Sequence, residues 1–243
     1  MLKRFSKTKI KIFGLNGLFI FLIIFIIGCA KRDPVSLLQK KLSSLPEYTV
    51  ILIDMGKTGT FFTSYYHRYR IIALKKSLST GWVKVDKDFY DKYKDYLGMA
   101  ILAKTKDGKI IKTPFPPGYQ YIGNPKYGQW KKDERGNSFW EFYGKYAFLS
   151  YLFGLSRRGI YRSDYDEYLS YQRRGRPYFG RDKMGRPKYG TSGVYTRKRY
   201  NNFFDRRAEK NRLSRQRFSE KVRSRIGRSR VSSFRGRGGG FGK

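Results

Sequence analysis

Runs of apolar and β-branched residues, separated by polar turns, divide the first half of the chain into short elements. Residues 48–55 are apolar or β-branched almost throughout, which predicts a strand with both faces buried. Residues 61–74 form a second such run, rich in aromatic residues. The intervening Gly56-Lys57-Thr58-Gly59 predicts a turn, so the two runs are expected to pair as a hairpin.

The remaining elements up to residue 113 are predicted in the same way: a helix at 35–42 ended by Pro46, a short strand at 81–85, a helix at 86–97 with Asp86 as N-cap, and strands at 99–104 and 109–113 around Asp107-Gly108. Residues 114–137, dense in Pro, Gly and Tyr, are expected to be loop. The expected fold class is α+β. It consists of a small, mainly antiparallel sheet with one or two helices over residues 45–155, followed by a long disordered basic tail.

Residues 138–155 are nearly all apolar or aromatic and predict a single helix. Two placements stay open. The helix either covers the sheet as part of the core, or lies in the plane of a membrane. The membrane placement assigns the water–lipid boundary to four amphipathic aromatic residues: Trp140, Tyr143, Tyr146 and Tyr151.

The composition changes sharply at Ser156, where aliphatic residues give way to Arg, Gly, Tyr and Ser. A domain boundary is therefore expected near 156, with a flexible segment over 156–243 that buries too little apolar area to offset its ordering entropy. A near repeat occurs at 175–180 and 185–190. Residues 205–225 have a composition that permits a basic helix.

The net charge of +36 is concentrated in this second half. Residues 151–243 carry 27 basic and 7 acidic side chains, and 21 of the basic ones are arginine. Arginine stays charged and forks onto phosphate or carboxylate, so an anionic partner is expected. The predicted anion-binding residues are Arg173, Arg174, Arg176, Arg206, Arg207, Arg215, Arg217, Arg223, Arg225, Arg235 and Arg237.

The N-terminus carries five basic residues within the first eleven, then an uncharged, mostly apolar run that ends in Ile26-Ile27-Gly28-Cys29. This order resembles the lipobox signal peptide of bacterial lipoproteins. The resemblance implies cleavage after residue 28, fatty acids such as palmitate on Cys29, and a tether over 29–44. It places the protein at the cell membrane or outer membrane, lipid-anchored on the exported side. The alternative is an uncleaved membrane anchor.

Residues that suggest catalysis are few. Gly56-Lys57-Thr58 lacks the earlier glycine of a phosphate-binding loop, and His67 with Ser64 and Asp54 lacks a nucleophile elbow. One histidine and one cysteine exclude a multi-histidine metal site and an intramolecular disulfide. No catalytic residue, metal or cofactor is expected.

An acidic cluster lies in the basic half of the chain. Asp164, Asp166 and Glu167 neutralise nearby arginines, hold a divalent ion or act as paired acids. Neutralisation is favoured.

The expected function is that of a non-enzymatic envelope lipoprotein whose basic tail binds phospholipid, lipopolysaccharide or wall polymer. The alternative is a membrane-anchored nucleic-acid-binding protein, because the Arg/Gly/aromatic ending resembles the arginine–glycine segments of RNA-binding proteins. The sequence predicts no oligomeric state.

Overall fold

The computed structural model describes residues 33–59, 62–73, 76–155 and 159–232, with side chains as far as residue 226. The chain divides into two compact units, Met1–Arg199 and Tyr200–Lys243. The helices of the first unit are α1 (Pro34–Lys41), α2 (Lys87–Tyr93), α3 (Ala147–Phe153), α4 (Arg162–Arg173) and α5 (Val194–Arg199). Its strands are β1 (Tyr48–Thr58), β2 (Ser64–Ala73), β3 (Lys76–Ser79), β4 (Val83–Val85), β5 (Ala100–Lys104), β6 (Ile110–Ile111), β7 (Gly128–Lys132) and β8 (Ser138–Phe142). The second unit contains the long helix α6 (Asn201–Ser232).

The main sheet is six-stranded and antiparallel, in the order β3-β2-β1-β5-β6, with β4 paired to the other end of β2. The hairpin of β1 with β2 and the Asp107-Gly108 hairpin of β5 with β6 are both present, as predicted. The α+β class with a mainly antiparallel sheet is therefore confirmed, although the helices are more numerous than expected.

Strand β1 is buried on both faces, as its continuous apolar run predicts. The register pairs Leu52 with Tyr69 on one face and Thr49 with Ile72 on the other. Helix α2 covers the first face, where Phe89 lies against His67, two residues from Tyr69. The second face is covered by the segment around the 3-10 turn Tyr119–Tyr121, since Gln120 donates a hydrogen bond of 2.7 Å to Thr49.

The turn predicted at residues 56–59 is wrong in its extent. Strand β1 continues to Thr58, and Gly56 lies within it, opposite Tyr66. A side chain at Gly56 would touch the indole of Trp82, 3.4 Å away. Gly59, with a φ of +97°, is the residue that leaves the strand.

The single helix predicted at 138–155 is also wrong. Residues Ser138–Phe142 form strand β8, which pairs with β7, and only Ala147–Phe153 is α-helical. Aromatic residues favour strands once a partner strand is available. That partner is supplied by a tight turn, in which the Asp133 carboxylate accepts hydrogen bonds from the backbone N–H groups of Arg135 and Asn137.

The domain boundary predicted near 156 is corrected, because the first compact unit extends to Arg199. Tyr178 is 1% exposed and packs against Tyr119 and Tyr168. The near repeat forms a loop that turns back on itself, with Tyr189 N–H bonded to the carbonyl of Phe179. The prediction from composition is wrong here because it counted only aliphatic residues as core formers, whereas the buried residues are tyrosines.

Two contacts fix this loop to the sheet domain. Thr191 accepts a hydrogen bond from the N–H of Leu97 and donates one to the carbonyl of Lys94. Gly190, with a φ of +79°, lies so close to the Asp95 carbonyl and the Phe179 ring that a side chain would not fit. Residues 175–191 therefore belong to the folded domain.

In the second unit, the basic helix that the composition permits at 205–225 is present, and it is longer, from Asn201 to Ser232. Residues 233–243 lie outside the described part. No helix among the described residues is long and apolar enough to cross a membrane.

Candidate anion-binding surfaces

Helix α6 presents basic side chains to solvent along most of its length. It contains 11 basic and 3 acidic residues over 32 positions, which span about 48 Å. Every residue from 205 to 226 is exposed. Six of the predicted anion-binding residues lie on it: Arg206, Arg207, Arg215, Arg217, Arg223 and Arg225.

Some of this charge is balanced within the helix. Arg212 donates hydrogen bonds of 2.6 and 2.9 Å to Glu209, three residues earlier. This ion pair lowers the pKa of the Glu209 carboxyl and raises the pKa of the Arg212 guanidinium. With only three acidic residues present, α6 keeps a surplus of eight positive charges.

Exposed apolar side chains follow one line along the second half of α6. Phe218, Val222 and Ile226 are 70%, 38% and 55% exposed, at a spacing of four residues. Side chains four apart lie on one face of a helix. Leu213, 41% exposed, lies nine residues before Val222 and therefore on the opposite face, roughly 2.5 turns away. We call Phe218, Val222 and Ile226 the apolar stripe.

The first unit has a cleft of about 940 Å³ between the β7–β8 turn and the start of α4. Its charged lining comprises four basic and two acidic side chains: Lys132, Arg135, Arg162, Lys183, Asp133 and Glu134. The Asp133 carboxylate already accepts hydrogen bonds from backbone N–H groups of its own turn. The cleft therefore carries a modest positive surplus that suits a small anion.

Arg162 is the most constrained basic residue of this cleft. Its guanidinium lies 4.9 Å from the centre of the Trp130 ring and pairs with Asp166 at 3.1 Å. Both contacts fix the direction of the side chain and share its charge. The exposed α6 is consequently the stronger of the two anion-binding candidates.

The other predicted arginines divide between two places. Arg173, Arg174 and Arg176 are exposed at the end of α4 and just beyond it, in the first unit. Arg174 donates to the carbonyl of Ser170 and lies over the Tyr171 ring, so it also stabilises the helix end. Arg235 and Arg237 lie outside the described residues.

Within the described part of the chain, the acidic cluster of α4 pairs with an arginine at only one of its three positions, so the neutralisation by arginines favoured from the sequence is confirmed in part. Asp166 pairs with Arg162, Asp164 accepts from Lys188 at 2.7 and 2.9 Å, and Glu167 accepts from the Tyr178 hydroxyl at 3.1 Å. Burial, together with the carboxylates of Asp164 and Glu167, raises the pKa of Tyr178 well above its ordinary value. Among the described residues, no group of three acidic, His or Cys side chains has the arrangement of a metal site.

The four aromatic residues proposed for a membrane boundary do not share one helix. Trp140 is buried in β8, and Tyr146 packs edge-on against Tyr127. Tyr143 and Tyr151 are exposed, at 38% and 80%, on either side of a 3-10 turn. The single interfacial helix that would have aligned them is absent from this segment.

His67 is a buried residue of strand β2. It is fully buried among Tyr69, Phe89, Tyr90 and Tyr93, and its Nδ1 lies 3.1 Å from the Tyr69 hydroxyl. Burial lowers the pKa of His67 to about 4. The ring is therefore neutral at physiological pH. Lys57, of the incomplete phosphate-loop pattern, lies over the ring of Tyr90 at 4.8 Å.

The lipobox residues Ile26, Ile27, Gly28 and Cys29 lie outside the described residues, so their assignment stays a prediction. Sequence reasoning also missed two features. The cleft is lined by segments that are distant in the chain, so no short sequence pattern indicates it. The apolar stripe does have one, the four-residue spacing of Phe218, Val222 and Ile226, which the high density of arginine obscures. No known protein family, curated protein or solved structure matches this chain.

Proposed function

We propose that this protein is a non-enzymatic envelope lipoprotein, anchored through fatty acids on Cys29, and that α6 binds an anionic envelope surface. Phospholipid, lipopolysaccharide and wall polymer all offer the phosphate or carboxylate groups that arginine recognises. In this proposal the chain after Cys29, α6 included, lies on the exported side of the membrane.

The exposure of the basic residues of α6 carries this proposal. Each cation near an anionic lipid surface is worth about 1 kcal/mol, so a surplus of eight charges supports firm attachment without a pocket. Because the charges are exposed, the attachment is expected to weaken as salt rises. A surface of this kind is suited to an extended polyanion.

Anchor and helix would act together. Once the acyl chains hold the protein at a membrane, α6 meets the same surface at a high effective concentration.

Nucleic-acid binding is the second candidate, and the shape of α6 favours it. A basic helix about 10–12 Å across fits the major groove, which is about 12 Å wide. It requires the opposite location, with an uncleaved anchor and α6 facing nucleic acid. The two candidates therefore differ in what the helix meets inside the living cell.

Photo-crosslinking in cells separates them. A photoreactive amino acid replaces Ser219, on exposed α6, and in a matched control replaces Asp107, in the exposed β5–β6 turn. Envelope lipid or polymer captured at 219 but not at 107 supports the proposal. DNA or RNA captured at 219 supports the second candidate. Equal capture at both positions would mean that the helix is not the binding element.

A further inference from the structure

The apolar stripe of α6 is not explained by attraction between charges. Phe218 is 70% exposed on a helix whose neighbouring side chains are mostly polar or basic, and it is the most exposed large apolar residue described in the second unit. Val222 and Ile226 continue its line. Leaving such side chains in water costs free energy, which a suitable partner would recover.

The charges beside the stripe limit the kind of partner. Lys221 and Arg223 precede and follow Val222, and so lie about 100° to either side of it around the helix axis. Arg215 and Arg225 lie close to the same face. Apolar side chains bordered by cations are typical of helices that lie in a membrane interface, where the cations reach the headgroups and the apolar face enters the acyl boundary.

Lipid is the partner that uses both features. A polysaccharide or a nucleic-acid backbone offers anionic groups to Lys221 and Arg223, but it offers no apolar layer to Phe218. An anionic phospholipid bilayer offers both. The complementarity of charge and the position of the stripe therefore favour an acylated anionic surface, and we take an anionic phospholipid bilayer as its occupant.

We propose that α6 lies in the plane of an anionic phospholipid bilayer, with Phe218, Val222 and Ile226 inserted into the acyl boundary. This inference rests on the proposed function and deepens it: of the three envelope polyanions, wall polymer has no acyl layer for the stripe, and of the two that have one the inference commits to phospholipid. Insertion reaches about 5–10 Å below the headgroups, which suits side chains rather than the helix backbone. Leu213, opposite Val222, faces water in this orientation.

The test places a fluorescent residue on each face of the helix. The full chain carrying Phe218→Trp, the full chain carrying Leu213→Trp and the wild type are reconstituted into vesicles of phosphatidylglycerol and phosphatidylcholine with brominated acyl chains. Trp82, Trp130 and Trp140 are common to all three, so the wild type gives their contribution. We expect the emission added at 218 to shift to the blue and be quenched, and the emission added at 213 to do neither.

The lipid composition provides a second comparison. In vesicles of phosphatidylcholine alone, the quenching at 218 should be lost, because the flanking cations then have no anionic headgroups to bind. Phe218→Ser should also lower the lipid captured by a crosslinker at 219 about tenfold, while Leu213→Ser leaves it nearly unchanged. Both positions are exposed, so neither serine is expected to disturb the fold.

Three results would overturn the inference: no quenching at 218, equal quenching at 213 and 218, or quenching at 218 that is independent of lipid charge. The proposed function has a separate readout. If the crosslinker at 219 still captures anionic envelope material while Trp at 218 stays unquenched, the helix binds by charge alone, and only the insertion is wrong. If nothing is captured at 219, the proposed function itself fails.

Discussion

Lys188 and Asp164 form an ion pair at 2.7 Å, with only 15% and 22% of their side chains exposed. Lys188 lies in the loop of the near repeat, and Asp164 lies in the first turn of α4. Their side chains meet beside Tyr178, whose hydroxyl donates to Glu167. The pair therefore joins two segments that the composition assigns to a flexible tail.

Lys188→Met should lower the free energy of unfolding by about 2 kcal/mol or more. The substitution leaves Asp164 and Glu167 as two carboxylates near Tyr178 without the lysine, and an uncompensated buried charge is costly. Chemical denaturation of the variant measures the loss. Lys183→Met, in the same loop but exposed, is the control and should change stability little. Equal stability of the two variants would show that the pair contributes nothing.

The boundary between the two units predicts the pattern of limited proteolysis. Early cleavage should produce a fragment that ends near Arg199, because the first compact unit extends to that residue. A stable fragment that ends between 150 and 165 would instead restore the boundary that the composition suggests. Mass spectrometry of the fragments over time distinguishes the two outcomes.

Acid should weaken the fold through His67. Its pKa is about 4 in the folded protein and about 6.5 when unfolded, so between these values the unfolded chain binds a proton that the folded chain does not. The stability that depends on a neutral His67 is complete above pH 6.5 and is lost as the pH falls toward 4. The full difference is about 3 kcal/mol.

The measurement compares the wild type with His67→Phe in urea unfolding between pH 7.5 and 4.5. Phenylalanine keeps a ring among Phe89, Tyr90 and Tyr93 but does not titrate. The variant should lose less stability than the wild type over this range. Parallel losses in the two proteins would assign the acid sensitivity to carboxylates.

Features encoded by neighbouring residues were predictable from the sequence. The apolar run at 48–55 encodes a strand buried on both faces, and Asp86 caps α2 by accepting from the N–H of Phe89 at 2.6 Å. Both depend on residues close together in the chain. The same holds for the Asp107-Gly108 hairpin and for the basic helix around residues 205–225.

Features that depend on distant partners were not predictable. Residues 138–142 form a strand because β7 pairs with them, and isolated aromatic residues do not reveal that partner. Residues 159–199 fold because tyrosines such as Tyr178 bury their rings and keep a polar partner for the hydroxyl. A composition argument based on aliphatic residues underestimates a core of this kind.

The lipoprotein assignment predicts a defined chemical change at Cys29. Cys29→Ala should abolish fatty-acid labelling in cells and change or block removal of the leader. Metabolic labelling followed by intact mass determination measures both effects. Equal label in wild type and variant would exclude acylation at this cysteine and favour the uncleaved anchor.

Vesicle binding tests the central claim, that α6 and not overall charge attaches the protein to anionic surfaces. The chain from Asp33 onward, which lacks the anchor, is compared with two variants that each lose six positive charges. One variant replaces six exposed arginines of α6 with glutamine: Arg206, Arg207, Arg215, Arg217, Arg223 and Arg225. The control replaces six exposed lysines of the first unit with glutamine in the same way: Lys84, Lys92, Lys94, Lys106, Lys109 and Lys112.

At about 1 kcal/mol per charge near anionic lipid, the α6 variant should bind vesicles containing phosphatidylglycerol more than about a hundredfold more weakly than the wild type. The lysine control should stay within several-fold of the wild type, because its charges lie outside the proposed contact. Binding by both wild type and control should fall as salt rises. An equal loss in the two variants, or undiminished binding by the α6 variant, would contradict the account.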